Sequence, residues 1–277
     1  MSFAIALLTG AASGAHASTW GMYKDIPYEG FTYAKYFRST LIGILVAIVV
    51  WLISGLDLTK AGDIFVLFGF SYVIERALLE FYKTFLRTED QSKYFIPMQL
   101  HVFGRVVESK KARWLAGAAY MSGVILVALL VYYLNENYPD LPWWVVIFVI
   151  GPAGGWISAF GGAWKDAPIE GFEWFKFFRS PGIAAFYAFL LSIFTSNYLL
   201  IGGAALGFTI ATIETYKTFF FPSKPRGKFA GKEINFPELM KWRNKFVPLY
   251  ILIWAAIIAT FFMALSQTHQ GLIFQSY

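Results

Sequence analysis

Long apolar runs recur along the whole chain and constrain its fold more than any other feature. A transmembrane helix needs about 20 consecutive apolar residues, and eight runs approach that length. Only 14% of the 277 residues are charged, whereas a soluble domain carries about 25%. We therefore predict an all-α integral membrane protein with eight transmembrane helices, placed near residues 2–20, 40–56, 64–85, 114–134, 142–163, 181–199, 200–220 and 246–265.

The first apolar run allows two interpretations. It resembles a secretory signal peptide that ends in Ala15-His16-Ala17, but no basic residue precedes it. Its glycine-rich segment, Gly10–Gly14, also has a counterpart 141 positions later at Gly151–Gly155. We therefore expect this run to be retained as the first membrane helix.

A charged and aromatic stretch occurs twice in the chain. Residues 24–39 read KDIPYEGFTYAKYFRS and residues 165–180 read KDAPIEGFEWFKFFRS, with ten of sixteen positions identical. A second match, EFYKTF at 80–85 and ETYKTF at 214–219, lies at the ends of the third and seventh predicted helices. Four helices per half give both halves the same orientation. We predict two parallel four-helix repeats, residues 1–140 and 141–277, that form one membrane domain and are related by an axis along the membrane normal.

Basic residues are concentrated in four loops that this topology places on one side. The segments 22–39, 83–113, 164–180 and 217–245 contain 21 of the 23 lysines and arginines. The positive-inside rule assigns such loops to the cytoplasm, so both termini should be outside or lumenal. The expected partners are the lipid bilayer, anionic lipids at the basic loops, and further copies of the chain or other membrane proteins in a complex. Nucleic acid is not expected, because no basic soluble domain is present to bind it.

Five charged residues of the repeated stretch occur at matching positions in both copies. The segments 25–27 and 166–168 each suggest a turn or a further helix start, and Ser39 and Ser180 suggest helix starts. One hypothesis is that the two sets of charges meet near the axis and line a polar vestibule or a gate. The alternative is a neutralised anchor, with aromatic rings holding each loop at the membrane interface. The charged residues are Lys24, Asp25, Glu29, Lys35, Arg38, Lys165, Asp166, Glu170, Lys176 and Arg179.

Ionic residues also lie inside predicted helices, where they are costly and commonly face a bundle interior or a pathway. Glu75 and Arg76 fall near the middle of the third predicted helix, and Glu80 and its counterpart Glu214 lie closer to helix ends. One interpretation is that these residues line a permeation route. The other is structural pairing, of Arg76 with Glu75 or Glu80, and of Glu80 and Glu214 each with the lysine three residues further on.

Two pairs of glycines share a spacing of four, Gly10 with Gly14 and Gly151 with Gly155. Small residues at this spacing let helix backbones approach closely. We predict helix packing at these positions. The alternative is that the two glycine-rich helices cross at the pseudo-twofold axis beside a pore.

The sequence names neither a cofactor nor a catalytic or metal-binding residue. The absence of cysteine excludes disulfides and thiolate metal sites, and His16, His101 and His269 lack the spacing of a metal site. The leading prediction is a pseudosymmetric channel or transporter for a small ion or solute. The first alternative is a non-catalytic membrane subunit that assembles with other membrane proteins or pigments. The second is an enzyme acting on a lipid headgroup, with paired carboxylates of the repeated stretches holding a divalent ion.

Overall fold

A computed structural model describes residues 1–222, 227–269 and 271–274, and these are predominantly helical. The α-helices are α1 (Ser2–Glu29), α2 (Tyr33–Ser54), α3 (Ala61–Phe81), α4 (Lys110–Asn137), α5 (Trp143–Val145), α6 (Ala153–Glu170), α7 (Trp174–Leu191), α8 (Tyr198–Phe219), α9 (Leu239–Trp242) and α10 (Val247–Leu265). Wider π-helical turns extend α3 through Tyr82–Leu86 and join α5 to α6 through Val146–Ile150, and short 3-10 turns occur at Gly227–Phe229, Arg243–Phe246 and Leu272–Phe274. The strands β1 (His101–Val102) and β2 (Arg105–Val106) pair antiparallel in a small hairpin.

Five helical segments are long and apolar enough to cross a membrane: Tyr33–Ser54, Lys110–Asn137, Trp143–Glu170, Tyr198–Phe219 and Leu239–Leu265. The protein is therefore all-α and has the helices of a multi-pass membrane protein. The predicted spans that coincide with α1, α3 and α7 fall outside this set. For α3 the reason is its charge, since Asp63, Glu75, Arg76 and Glu80 all lie within it.

The repeated stretches are more helical than the sequence predicts. The turn expected at Asp25 is absent, because α1 continues through Pro27 to Glu29. A proline inside a helix leaves the carbonyl four residues earlier without its N–H donor. Here Arg243 supplies the donor, with its Nη1 3.3 Å from the carbonyl oxygen of Tyr23. In the second copy α6 likewise continues through its internal proline to Glu170.

Each helix break in the repeated stretches occurs at a glycine. Gly30 has φ 69° and Gly171 has φ 86°, a left-handed conformation that glycine adopts without steric cost. The chain then re-enters a helix within three residues, at the start of α2 and of α7. The predicted helix starts at Ser39 and Ser180 are therefore wrong, because these serines lie inside helices that begin six residues earlier.

The core lies where α3 crosses α8. Phe65, Phe68 and Tyr72 of α3 and Phe208 of α8 are buried, and the rings of Phe65 and Phe208 stack with centroids 4.4 Å apart. A β-carbon at Gly207 would overlap the carbonyl oxygen of Gly69, so these two glycines set the close approach of the helices.

The four predicted glycines lie at other helix contacts. A β-carbon at Gly10 or Gly14 would overlap the backbone of α2. One at Gly151 would overlap Ala188 of α7, and one at Gly155 would come within 2.8 Å of Pro181. Each glycine pair therefore allows the first helix of its half to pack on the second.

The four basic segments come together at one end of the helices. We call the described parts of them, 22–39, 83–113, 164–180, 217–222 and 227–245, the basic layer; Lys224 and Arg226 lie outside the described residues. Lys228 Nζ lies 2.8 Å from Asp25 Oδ2. The backbone carbonyl oxygen of Lys228 accepts a 2.7 Å hydrogen bond from the Phe95 N–H. His101 Nε2 is 2.8 Å from the Lys165 carbonyl oxygen. The segments thus form one continuous structure over the helix ends.

Candidate functional site

Two adjoining cavities lie at the junction of the helices and the basic layer. The first, of about 240 Å³, we call the charged chamber; it is lined by nine basic and five acidic side chains. The second, of about 330 Å³, we call the apolar cavity; it lies between α3, α4, α6, α7 and α8, and many of its lining residues are apolar. The residues shared by both linings are Trp20, Arg76, Glu80, Asp166, Glu214 and Lys217.

The five charged residues of the first repeated stretch all line the charged chamber. Glu29 is 3.3 Å from Lys35 Nζ and 3.6 Å from Lys228 Nζ, and it accepts a 2.9 Å hydrogen bond from the Tyr94 hydroxyl. Lys24 reaches across to Glu214 of the second half, at 3.9 Å. Both acids of this stretch are therefore ion-paired, whereas the arginine, Arg38, takes part in no ion pair within the described residues.

The second stretch is divided between the cavities. Lys165 lines the charged chamber, Asp166 lines both cavities, and Lys176 and Arg179 line the apolar cavity. Glu170 is in neither lining and instead bonds Lys176, at 2.8 Å. Asp166 also lies 3.3 Å from Lys176 Nζ, so this lysine pairs with two of the three acids of the second stretch, and the third, Glu173, lines the apolar cavity.

The four charges that the sequence predicts to lie within the membrane are all ion-paired. Arg76 donates from Nε and Nη2 to the two oxygens of Glu75, at 2.6 and 2.8 Å. Glu75 is fully buried behind Arg76, whose guanidinium lies 5.4 Å from the centre of a Trp20 ring and faces both cavities. Glu80 and Glu214 pair with the lysines three residues further on, at 3.0 and 3.5 Å.

Three arginines, Arg38, Arg76 and Arg87, line the charged chamber. Arg87 is paired with Glu89 at 2.8 Å, as Arg76 is with Glu75. Arg38 interacts electrostatically with Arg76 and with Arg87, a residue that the sequence patterns do not single out. The Nε atoms of Arg38 and Arg87 are buried and have no hydrogen-bond partner in the described part of the chain. Guanidinium groups bind carboxylates and phosphates with paired hydrogen bonds, so this cluster, here called the arginine cluster, has the donors of an anion site.

The groups that cover the chamber keep fixed protonation states. Burial of Lys228 alone would lower its pKa, but the charges of Asp25 and Glu29 raise it above the ordinary lysine value. Burial of the Tyr94 hydroxyl, together with the nearby Glu29 carboxylate, raises the pKa of that tyrosine well above its usual range. Near neutral pH, Lys228 is therefore charged and Tyr94 remains a hydrogen-bond donor.

Three residues that line the charged chamber, Trp20, Arg87 and Lys228, are not identified by the sequence repeat. Arg87 lies two residues after the matched segment EFYKTF, and Lys228 lies outside both pairs of matched segments. Trp20 could have been suspected only from its place at the end of the first apolar run. The roles of Arg87 and Lys228 follow from the path of the segments 87–109 and 227–238 over the chamber, which local sequence patterns do not predict.

Comparisons with known proteins give no relative for this architecture. No protein-family model, no curated protein and no solved structure matches the chain. Within the described residues no group of three or more histidines and carboxylates is placed to hold a metal ion. The site's chemistry must therefore be inferred from its own charges, and these favour an anion.

Proposed function

We propose that this protein is a membrane transporter for a small anionic solute, built from two parallel four-helix repeats with eight spans. The observation that carries the proposal is the charged chamber, where residues of both halves meet around nine basic and five acidic side chains. The basic side chains remain in excess when Glu75 and Glu89, which pair with Arg76 and Arg87 from outside the lining, are counted as well. An enclosed space of this charge attracts anions and disfavours cations. Its volume, together with that of the apolar cavity, is in the range of about 300–1,000 Å³ typical of ligand sites.

The repeat is supported by equivalent packing in the two halves. In each half the first long helix, α1 or α6, ends at a glutamate followed by a left-handed glycine. The fourth helix of each half packs on the third helix of the other, α10 on α3 and α4 on α8. A rotation about an axis along the membrane normal exchanges such contacts.

A transporter fits the geometry better than an open channel. On the side of Arg76 away from the basic layer, α3 presents Tyr72 and Phe68, which pack against one another. Phe68 also packs on Phe208. The Tyr72 hydroxyl accepts a 2.8 Å bond from Trp20 Nε1 and lies 3.1 Å from His16 Nδ1. This packed layer closes the chamber toward the opposite face, as expected for one state of an alternating-access cycle.

A second candidate function, a membrane subunit in a larger assembly, is favoured by α4. Only 6% of the most apolar 18-residue window of this helix is buried. It therefore offers a long apolar face to lipid or to another protein. By contrast, the acids proposed to hold a divalent ion for lipid-headgroup chemistry are neutralised by Lys35, Lys176 and Lys228.

The test is anion uptake into proteoliposomes, measured with chloride, phosphate and a small carboxylate against sodium and potassium. We expect uptake of at least one anion, and we expect Arg38→Met to reduce it about tenfold, the effect of losing roughly one charge-assisted hydrogen bond. Arg105→Met is the matched control, because Arg105 is exposed in the same basic layer and lines neither cavity. Cation uptake with no anion uptake would contradict the proposal.

A further inference from the structure

The apolar cavity occupies a place that polar and aromatic side chains fill in the first half. At the repeat offsets, His16 corresponds to Ile157, Tyr72 to Leu206 and Arg76 to Ile210. The first-half residues pack together: the His16 ring stacks on Tyr250 at 4.4 Å and meets the edge of Tyr72 at 5.3 Å. All three second-half residues instead line the apolar cavity.

The side chains of the second half are shorter at two of these three positions. Leucine in place of tyrosine and isoleucine in place of arginine leave volume that neighbouring helices do not fill, because interiors relax only partially around missing atoms. This difference between the halves accounts for the apolar cavity beside α6 and α8.

The apolar cavity itself has balanced charges at its polar end. Lys176 is paired with Asp166, and Lys217 with Glu214. Four basic and four acidic side chains contribute to its lining, so it has no charge preference of its own. The excess of basic side chains is in the adjoining charged chamber, and Arg76 lines both cavities.

We propose that the transported anion is an amphiphile, with its headgroup on the arginine cluster and its hydrocarbon chain in the apolar cavity. This inference rests on the proposed function and names the substrate class of the same site. A hydrocarbon chain gains free energy when it leaves water for an apolar cavity, and an anionic headgroup, phosphate or carboxylate, supplies acceptors for the buried Nε atoms of Arg38 and Arg87. Ile157, Leu206 and Ile210 form the walls of the apolar cavity and contact the hydrocarbon chain of the ligand.

The experiment measures binding of dodecyl phosphate and of inorganic phosphate to the protein in nanodiscs of neutral lipid, with empty nanodiscs subtracted. A β-carbon at Gly162 meets no atom within 4 Å, and Gly162 lines the apolar cavity, so Gly162→Leu partly fills it. Gly161→Leu is the matched control, since Gly161 is equally open but is not in the lining.

We expect Gly162→Leu to weaken dodecyl phosphate binding about tenfold, as for the loss of roughly two buried methylene groups, and to leave inorganic phosphate binding unchanged. Retained phosphate binding shows that the variant is folded. Gly161→Leu should match the wild type with both probes. Displacement of dodecyl phosphate by phosphatidic acid placed in the nanodisc would identify the bilayer as the source of the amphiphile, and lack of displacement would identify a free single-chain compound.

Equal affinity for the two probes, or equal dodecyl phosphate affinity of the two glycine variants, would overturn the proposal that the ligand is an amphiphile. Either result would leave the proposal of a small-anion transporter intact. Binding of neither probe, or binding insensitive to Arg38→Met, would overturn the proposed function itself. The two failures are therefore distinguishable.

Discussion

Arg76 combines two properties that its sequence context presents as alternatives. It is bonded through two nitrogens to the buried Glu75, as in a structural pair, and it also faces both cavities, as in a ligand site. The pairing explains how a guanidinium is tolerated at this depth, because an isolated buried charge would be far more costly. The carboxylate behind it fixes the orientation of the guanidinium without competing for the space in front.

Neutralising Glu75 alone should destabilise the protein. Glu75→Gln leaves Arg76 buried without its counter-charge, and breaking such a pair costs about 3–5 kcal/mol. The double variant Glu75→Gln with Arg76→Met should recover most of that stability but lose anion binding. Thermal unfolding in detergent measures stability, and phosphate binding measures function. Normal stability of the single variant would show that water in the chamber already solvates Arg76.

Glu89 should make the basic layer sensitive to acid. Burial alone would raise the pKa of this carboxyl, but the hydrogen bond from Lys93 and the charge of Arg87 outweigh burial and lower it. Its stabilising contribution is therefore fully present above the unfolded pKa of about 4.5 and is lost as pH falls through the lower folded value.

Hydrogen exchange of residues 87–109, corrected for the intrinsic effect of pH, should accordingly rise below about pH 4.5 in the wild type. Glu89→Gln should exchange faster at neutral pH and show a weaker acid dependence. An acid response as large in Glu89→Gln as in the wild type would assign the effect to other carboxyls of the layer.

At the scale of elements, the continuation of α1 through Pro27 depends on a distant residue. The Tyr23 carbonyl oxygen loses its helical donor at the proline and gains Arg243, which lies in the turn before α10. The same guanidinium donates to the Pro222 carbonyl at 2.8 Å and stacks over the Tyr23 ring at 4.4 Å. Arg243 thus ties the end of α1 to the entrance of the last helix.

Removing this tie should loosen the end of α1, which lines the charged chamber. Arg243→Met leaves a buried carbonyl unpaired, at a cost of about 1–3 kcal/mol. Adding Pro27→Ala restores a backbone N–H at that position and should recover part of the loss, whereas adding Pro168→Ala should not. Thermal unfolding of the three variants tests the expectation, and equal recovery by the two alanines would refute it.

The contact between Arg243 and the end of α1 is an example of a feature that the sequence does not predict, in contrast to the positions of the long helices. Apolar runs place the long helices, since membrane-length runs must be helical, and the repeated stretch indicates which charges gather at one end. The continuous α1 is not predictable, because Pro27 and Arg243 are more than 200 residues apart and no local pattern relates them. Arg87 is missed for a similar reason, since only the fold of residues 87–109 brings it over the chamber.

At the scale of the whole molecule, the number of membrane spans depends on whether α1 and α3, which carry polar groups, cross the membrane. By composition alone five segments qualify, yet α1 and α3 run beside qualifying helices and share their core. Residues 2–20 of α1 extend about 28 Å at 1.5 Å per residue, close to the ~30 Å hydrocarbon thickness of a bilayer. The remaining residues of α1 then project into the basic layer, where their charges lie outside the hydrocarbon.

Cysteine labelling can decide between five spans and eight. The chain has no cysteine of its own, so each single variant carries one thiol. Ser92→Cys, Glu233→Cys, Asp57→Cys and Asn137→Cys all replace exposed residues in connecting segments or at a helix end. With eight spans, positions 92 and 233 share one side and positions 57 and 137 share the other. With only the five most apolar segments crossing, position 92 would instead share a side with 57, and 233 with 137.

We expect the eight-span pairing, with positions 92 and 233 on the cytoplasmic side. Lys232 Nζ bonds the Ser92 carbonyl oxygen at 2.8 Å, so the two segments cannot be separated by a bilayer without unfolding the basic layer. The positive-inside rule places this lysine- and arginine-rich layer in the cytoplasm. An impermeant maleimide added to right-side-out vesicles should therefore label positions 57 and 137 but reach 92 and 233 only after permeabilisation. Labelling of 57 together with 92 would show that α3 does not cross the membrane, and the pseudosymmetric transporter would have to be abandoned.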